Sequence, residues 1–200
     1  MSHAPRLLPA GDSAIVVEYG DGIDPALNAR VRRLHRALGA RPHAGIVETV
    51  PTYRSLMVHY DPIVISRDAV EHVIAETADQ LPEESQEPGK TVEIPVLYGG
   101  AAGPDLADVA AHAGLDEPRV VELHASGDYV VFMLGFMPGF PYLGGLPQRI
   151  ATPRLATPRT LVPAGSVGIA GAQTGVYPAE SPGGWRLIGR TPVALFDPRR

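Results

Sequence analysis

Cysteine is absent from this 200-residue chain. Disulfides, thiolate nucleophiles and cysteine-ligated zinc are therefore excluded. Lysine is almost absent too. Of the 17 basic side chains one is a lysine, Lys90, and the rest are arginines. Any anion clamp must then come from arginine, from backbone N–H groups or from a partner chain, and arginine suits bidentate carboxylate or phosphate contacts. There is no basic run, and the net charge is −5. Nucleic-acid binding thus lacks electrostatic support. No window approaches the ~20 apolar residues of a membrane-spanning helix. The opening MSHAPRLLPAGDS has no apolar stretch of signal-peptide kind. A cytoplasmic protein that does not engage a membrane is the expectation. Tryptophan occurs once, at Trp185.

What is present reads as two domains, residues 1–86 and 87–200, joined across the polar, proline-bearing run LPEESQEPGK at 81–90. In the first, Ser13–Tyr19 is β-branched and predicts a strand. Asp24-Pro25 predicts a helix start, Leu27, Val31, Leu34 and Leu38 follow at helical spacing, and Gly39 ends it. Ile46–Val50 and Ser55–Tyr60 read as strands, with Leu56, Val58 and Tyr60 on one face. Ser66 is placed to cap a helix carrying Val70, Val73, Ile74, Thr77 and Leu81. Thr91–Leu97 offers a closing strand. The order predicts an α+β fold, a ferredoxin-like layer of two helices on an antiparallel sheet.

The second domain predicts two short helices, Leu106–Ala113 capped by Asp105 and stopped by Gly114, and Glu117–His124 capped by Asp116. From Tyr129 onward the text is short apolar runs broken by Gly and Pro: Tyr129–Phe136, Leu161–Val162, Val167–Ala170, Arg186–Ile188 and Val193–Phe196. That pattern argues for a β barrel or sandwich.

The densest stretch is GFMPGFPYLGGLP, Gly135–Pro147, with three aromatics and three prolines behind an apolar strand. A loop so stiff and apolar is poorly suited to be a wet connector. Phe136, Phe140 and Tyr142 are accordingly expected at a partner interface. Pro153-Arg154 and Pro158-Arg159 set two guanidiniums on stiffened backbone, either as an anion clamp or in internal salt bridges. Ser181-Pro182-Gly183-Gly184-Trp185 is a tight turn; N–H groups at Gly183 and Gly184 would face an oxyanion, or Trp185 would simply pack. Gln173 and Thr174, beside Gly171 and Gly175, are candidate polar contacts. Ser166, in AGSVG, lacks the strand–turn–helix setting of a nucleophile elbow and reads as a turn serine or pocket contact. His124, at a helix end, is placed either as a proton carrier or as a cap on its own carbonyls. No histidine has metal-ligand spacing. Gly89-Lys90-Thr91 lacks the first glycine of a P-loop, Glu84 standing there.

Motifs running through the chain resemble the family of the 5-oxoprolinase B-type subunit, also called the allophanate hydrolase subunit 1 or Kip-type kinase-inhibitor family. They are Gly11-Asp12-Ser13-Ala14, Pro51-Thr52-Tyr53-Arg54-Ser55-Leu56, Tyr60-Asp61-Pro62, Gly135-Phe136, Pro138-Gly139-Phe140, Tyr142-Leu143-Gly144, Pro153-Arg154, Pro158-Arg159, Pro163–Gly168 and Ser181–Trp185. The resemblance implies a cyclophilin-like β-barrel for residues 87–200. It also implies ATP-dependent opening of the lactam 5-oxo-L-proline to L-glutamate, with ATP (and Mg²⁺) in the assembled complex. The implied partners are a C-type subunit, similar to allophanate hydrolase subunit 2, and an A-type lactam-utilisation subunit. On this reading His124, Arg154 and Arg159 are the catalytic candidates. Ser166, Gln173, Gly183 and Gly184 line a pocket shared with the C-type subunit. The resemblance leaves two other readings open, inhibition of a sensor histidine kinase and a carboxyl-transfer role in urea or allophanate metabolism.

Overall fold

The computed structural model describes residues 5–81, 89–197 and 199. Most of the expected linker lies outside them. The chain forms two compact units, Met1–Gly89 and Lys90–Arg200.

In the first unit, β1 (Arg6–Pro9), β2 (Ala14–Glu18), β3 (Ile46–Pro51) and β4 (Ser55–Tyr60) make an antiparallel sheet in the order β1-β2-β4-β3. Helix α1 (Pro25–Ala40) starts where Asp24 accepts from the Ala26 and Leu27 N–H groups. Helix α2 (Arg67–Asp79) starts where Ser66 accepts from Ala69 N–H. Each cap satisfies donors that the first helical turn leaves orphaned. Val31, Leu34 and Leu38 of α1 and Val70 and Ile74 of α2 pack on Ile15, Val17, Leu56, Val58 and Tyr60. Buried Asn28 donates through Nδ2 to the Thr52 and Tyr53 carbonyls, tying α1 to the β3–β4 turn. The expected closing strand at Thr91–Leu97 is corrected: residues 91–96 carry no strand, and Leu97–Tyr98 pairs within the second unit. Pro95 removes a ladder donor there. The sheet edge is instead filled by β1, which pairs with β2 from Arg6↔Glu18 to Pro9↔Ile15.

The second unit holds β5 (Leu97–Tyr98), α3 (Leu106–Ala113), α4 (Glu117–Ala125), β6 (Val130–Leu134), β7 (Pro141–Gly144), a 3₁₀ turn (Gln148–Ile150), β8 (Arg159–Val162), β9 (Ser166–Ala170), β10 (Gln173–Val176), β11 (Ser181–Gly183) and β12 (Arg186–Arg190). Six strands form one antiparallel sheet, β5-β12-β9-β10-β7-β6, and β11-β8 form a ribbon. Among the described residues these pairings close no barrel. The expected strand at Val193–Phe196 is not formed.

The sheet has two unlike faces. Val167, Ile169, Val176 and Ile188 meet Leu106, Val109 and Val120 of α3 and α4. On the other face Phe140, Val162, Ala170, Tyr177, Trp185 and Leu187 form a separate aromatic cluster. Gly168 and Gly175 pair in register there. A Cβ on Gly175 would stand 3.0 Å from the Trp185 ring and 3.2 Å from that of Phe140, and one on Gly168 3.0 Å from the Trp185 Cβ. The aromatics thus lie directly on backbone.

Candidate functional site

The aromatic face opens into a small cavity of about 100 Å³ lined by Phe136, Phe140, Tyr142, Arg154, Tyr177, Gly183, Gly184 and Trp185. Phe140 meets Tyr142, Tyr177 and Trp185 at ring-centroid distances of 4.8, 5.1 and 5.5 Å. The Arg154 guanidinium lies over the Trp185 ring, 5.9 Å from its centroid, a cation–π arrangement. Burial pushes the Tyr142 and Tyr177 hydroxyls above the usual phenol range, against the opposing field of Arg154. Both stay protonated at neutral pH. A backbone hydrogen bond from Trp185 reaches the Tyr177 hydroxyl.

Phe136 sits at the mouth, 60% exposed, its ring edge-on to Phe140 at 5.5 Å and to Tyr177 at 6.3 Å. Its φ of 65° is the one positive value at a non-glycine among the described residues. The Met137 N–H donates to the Gly135 carbonyl at 2.7 Å. That bond closes a γ-turn on Phe136 in its rare positive-φ form. Such backbone costs about 1–3 kcal/mol and tends to mark functional sites.

Gly183 is fixed by this packing, because a Cβ there would fall 2.4 Å from the Tyr177 hydroxyl. Gly183→Ala is therefore expected to push Tyr177 out of the cavity wall and to cost about 1–3 kcal/mol. Gly184→Ala meets nothing nearer than 3.6 Å and should melt like the parent. Equal melting of the two variants would show that the wall is not closely fitted.

Several expected site residues lie elsewhere. His124 is 6% exposed and belongs to the helix side of the sheet. Its Nδ1 is 2.7 Å from the Tyr98 hydroxyl and its Nε2 2.9 Å from Thr174 Oγ1. Thr174 itself donates to the Gly168 carbonyl at 2.9 Å. The hydroxyl therefore accepts from Nε2–H, and Nδ1 accepts from Tyr98. Desolvation lowers the His124 pKa to about 4. The imidazole thus lies on the face opposite the cavity, with both nitrogens engaged by side chains of other elements and neither on a carbonyl of its own helix.

Arg159 does not join Arg154 in a clamp. Its Nη2 donates to buried Asp105 Oδ1 at 2.6 Å, while Asp105 Oδ2 accepts from Leu187 N–H at 2.7 Å. Asp105 thus makes no side-chain cap on α3, contrary to the reading of its position. Ser166 is buried and donates to the Pro163 carbonyl at 2.7 Å, so it is a turn serine outside the cavity. Gln173 does not line the cavity; its Nε2 is buried without a hydrogen-bond partner. Phe140 is 1% exposed and is core, not interface. Phe136 also borders a shallow apolar groove of about 570 Å³ with Leu134, Gly135, Met137, Pro138, Gly139, Leu195 and Phe196.

Tyr177 was missed by sequence reasoning, and nothing local to it gives a signal. Trp185 offered one, as the lone tryptophan at the end of a tight turn. Among the described residues no group of three or more His, Asp or Glu side chains is placed to hold a metal ion. The cavity is also too small for a nucleotide. That cavity by itself does not fit ATP with Mg²⁺. No described helix is long and apolar enough to cross a membrane.

An antiparallel α+β chain with this face and cavity belongs to the family described as carboxyltransferase domain, subdomain C and D, whose model matches residues 5–200. Within it, the chain is similar to the B-type subunit of 5-oxoprolinase from Escherichia coli O157:H7, 51% identical over 95% of this chain and 86% of that protein. The crystal structure of TTHA0988 superposes with a TM-score of 0.83 at 41% identity, over 94% of this chain and 36% of that one. The present chain thus corresponds to about a third of that polypeptide. A more distant likeness is to urea amidolyase of Saccharomyces cerevisiae, 26% identical over 94% of this chain and 12% of that protein.

Proposed function

We propose that the chain acts as the B-type subunit of an ATP-dependent 5-oxoprolinase, opening 5-oxo-L-proline to L-glutamate. Its second unit gives one wall of a site completed by a C-type subunit, with an A-type lactam-utilisation subunit in the same complex. The observation that carries this reading is Arg154, a guanidinium with no carboxylate partner among the described residues, at the mouth of an aromatic cavity of small-ring size. The likeness to the 5-oxoprolinase B-type subunit over most of both chains supports it. Under this reading the first unit is ferredoxin-like with β1 in the place of the closing strand, and the second is a cyclophilin-like domain. ATP belongs to the partner subunits, and this chain orients the substrate and shields it from water. The exposed rim from Leu134 to Gly139, with Phe136 at its tip, faces the C-type partner.

Glutamate formed from 5-oxoproline by the three mixed subunits is the test. Glutamate that needs ATP and disappears when this chain is omitted is the expected result. Arg154→Ala should lower turnover by on the order of 100-fold while the complex still assembles, the loss appropriate to a removed charge-orienting group. An assembled complex that makes no glutamate would end the reading. The family description and the urea amidolyase likeness favour carboxyl transfer as the second reading. In that case biotin would arrive on another chain, since Lys90 stands between Gly89 and Thr91 and not between methionines.

A further inference from the structure

We infer that the second unit alone, without partner or nucleotide, binds a small flat ring bearing one carboxylate, with Arg154 holding the carboxylate and the aromatic walls with Phe136 distinguishing the ring from its open-chain product. The inference rests on the lactam reading above and adds which chain of the complex holds the ring and how.

Three observations converge. The other described arginines of this unit all have polar partners: Arg119 with Glu122, Arg149 with the Ala113 carbonyl, Arg159 with Asp105, Arg186 with Asp108, Arg190 with the Ala164 carbonyl and Arg199 with Asp197. Arg154 alone among them has neither hydrogen bond nor ion pair, and it is exposed at the cavity mouth over Trp185. A single carboxylate would complete it. The walls, next, are ring faces and edges, and a flat five-membered ring stacks on such surfaces where a flexible chain does not. Finally, the strained turn at Phe136 holds an exposed aromatic at the opening, where a polar residue in relaxed backbone would be easier to keep. Tyr177, accepting from the Trp185 backbone, retains its own proton to donate to a ring carbonyl oxygen.

Glutamate fits these walls poorly. It has no ring face, and its second carboxylate would be buried without a counter-charge. The same cavity that holds the ring is therefore built to release the opened chain.

Trp185, the only tryptophan, lines the cavity and reports on it directly. The purified chain would be titrated with 5-oxo-L-proline and with L-glutamate, following tryptophan fluorescence and, in parallel, saturation-transfer NMR of the ligand. We expect saturable binding of 5-oxoproline and at least about tenfold weaker binding of glutamate. Arg154→Ala should weaken 5-oxoproline by about tenfold or more, with an unchanged melting temperature because the side chain is exposed. Phe136→Leu should narrow the ratio between the two ligands. No saturable binding by either method, equal affinity for the two ligands, or an unaffected Arg154→Ala variant would each overturn the inference. Glutamate production by the full complex with no binding to the free chain would sink the inference alone. Binding to the free chain beside an assembled but inactive complex would sink the oxoprolinase reading and leave the subsite standing.

Discussion

Replacing Asp105 by Ala should unfold the second unit on the order of 10 °C earlier than the parent in a thermal melt. Asp105 is buried, and one carboxylate serves two distant elements. Oδ1 takes Arg159 of β8, and Oδ2 takes the Leu187 N–H of β12. Its own N–H donates to the Leu187 carbonyl at 2.9 Å, so the start of α3 is held to β12 on both sides. Alanine strands the Leu187 N–H, a loss of about 1–3 kcal/mol. It also leaves the Arg159 guanidinium, whose side chain is 29% exposed, without its counter-charge. Arg159 Nη1 already lacks a partner, so the cation has little to fall back on. Breaking such a pair by removing one member costs about 3–5 kcal/mol. Asp105→Asn keeps one acceptor and should lose clearly less. If the alanine variant melts within a degree of the parent, the pair is not what anchors α3.

Acid should expose the second vulnerability. His124 is neutral in the fold, with a pKa of about 4, against about 6.5 in the unfolded chain. Between those values the unfolded state binds more protons than the native state, so stability rises with pH across the window. The contribution is complete above pH 6.5 and is lost as pH falls towards 4. It changes no further below that, because the group is then protonated in both states. The span corresponds to about 3 kcal/mol. Carboxylates also titrate near the lower end, so the comparison must be with a variant that cannot titrate here. Urea midpoints of the parent and of His124→Gln would be measured at several pH values from 7 to 4. The advantage of the parent at pH 7 should shrink as pH falls; parallel curves would mean that His124 is not the acid-labile group. Thr174→Val, which removes the acceptor for Nε2–H and the donor to Gly168, should lower stability at every pH.

Much of the first unit was legible because its elements carry their own signals. Asp24-Pro25 and Ser66 start helices through contacts within three residues, and the spacing of Val31, Leu34 and Leu38 needs no knowledge of the rest of the chain. The errors fall where local text and tertiary context part. Val92, Ile94 and Val96 alternate like a strand, yet the interruption at Pro95 and an edge already filled by β1 leave the segment unpaired. The β1 segment, RLLP, is too short to declare itself and is recognised only by its register with β2. Asp105 has the position of a cap, but a partner 54 positions later claims its carboxylate.

The site was readable in its ingredients and not in its assembly. Arg154, Phe136, Tyr142, Gly183 and Gly184 were nominated from the sequence and do line one cavity. His124, Arg159, Ser166 and Gln173 were nominated on the same kind of local ground and do not. What separates the two sets is which face of the sheet, or which buried pair, each side chain joins. That depends on strand order and register, which no short motif encodes.

Gly168 and Gly175, opposite one another in β9 and β10, divide the consequences of mutation by the parity of the residue number. Along β9, Val167 and Ile169 serve the helix side and Gly168 and Ala170 the aromatic side; along β10, Thr174 and Val176 serve the first and Gly175 the second. A saturation scan of these two strands should therefore alternate in phenotype from one codon to the next. Apolar exchanges towards the helices would be tolerated, while any side chain at Gly168 or Gly175 would deplete protein abundance, since a Cβ at Gly175 also stands 2.8 Å from the Pro141 carbonyl oxygen.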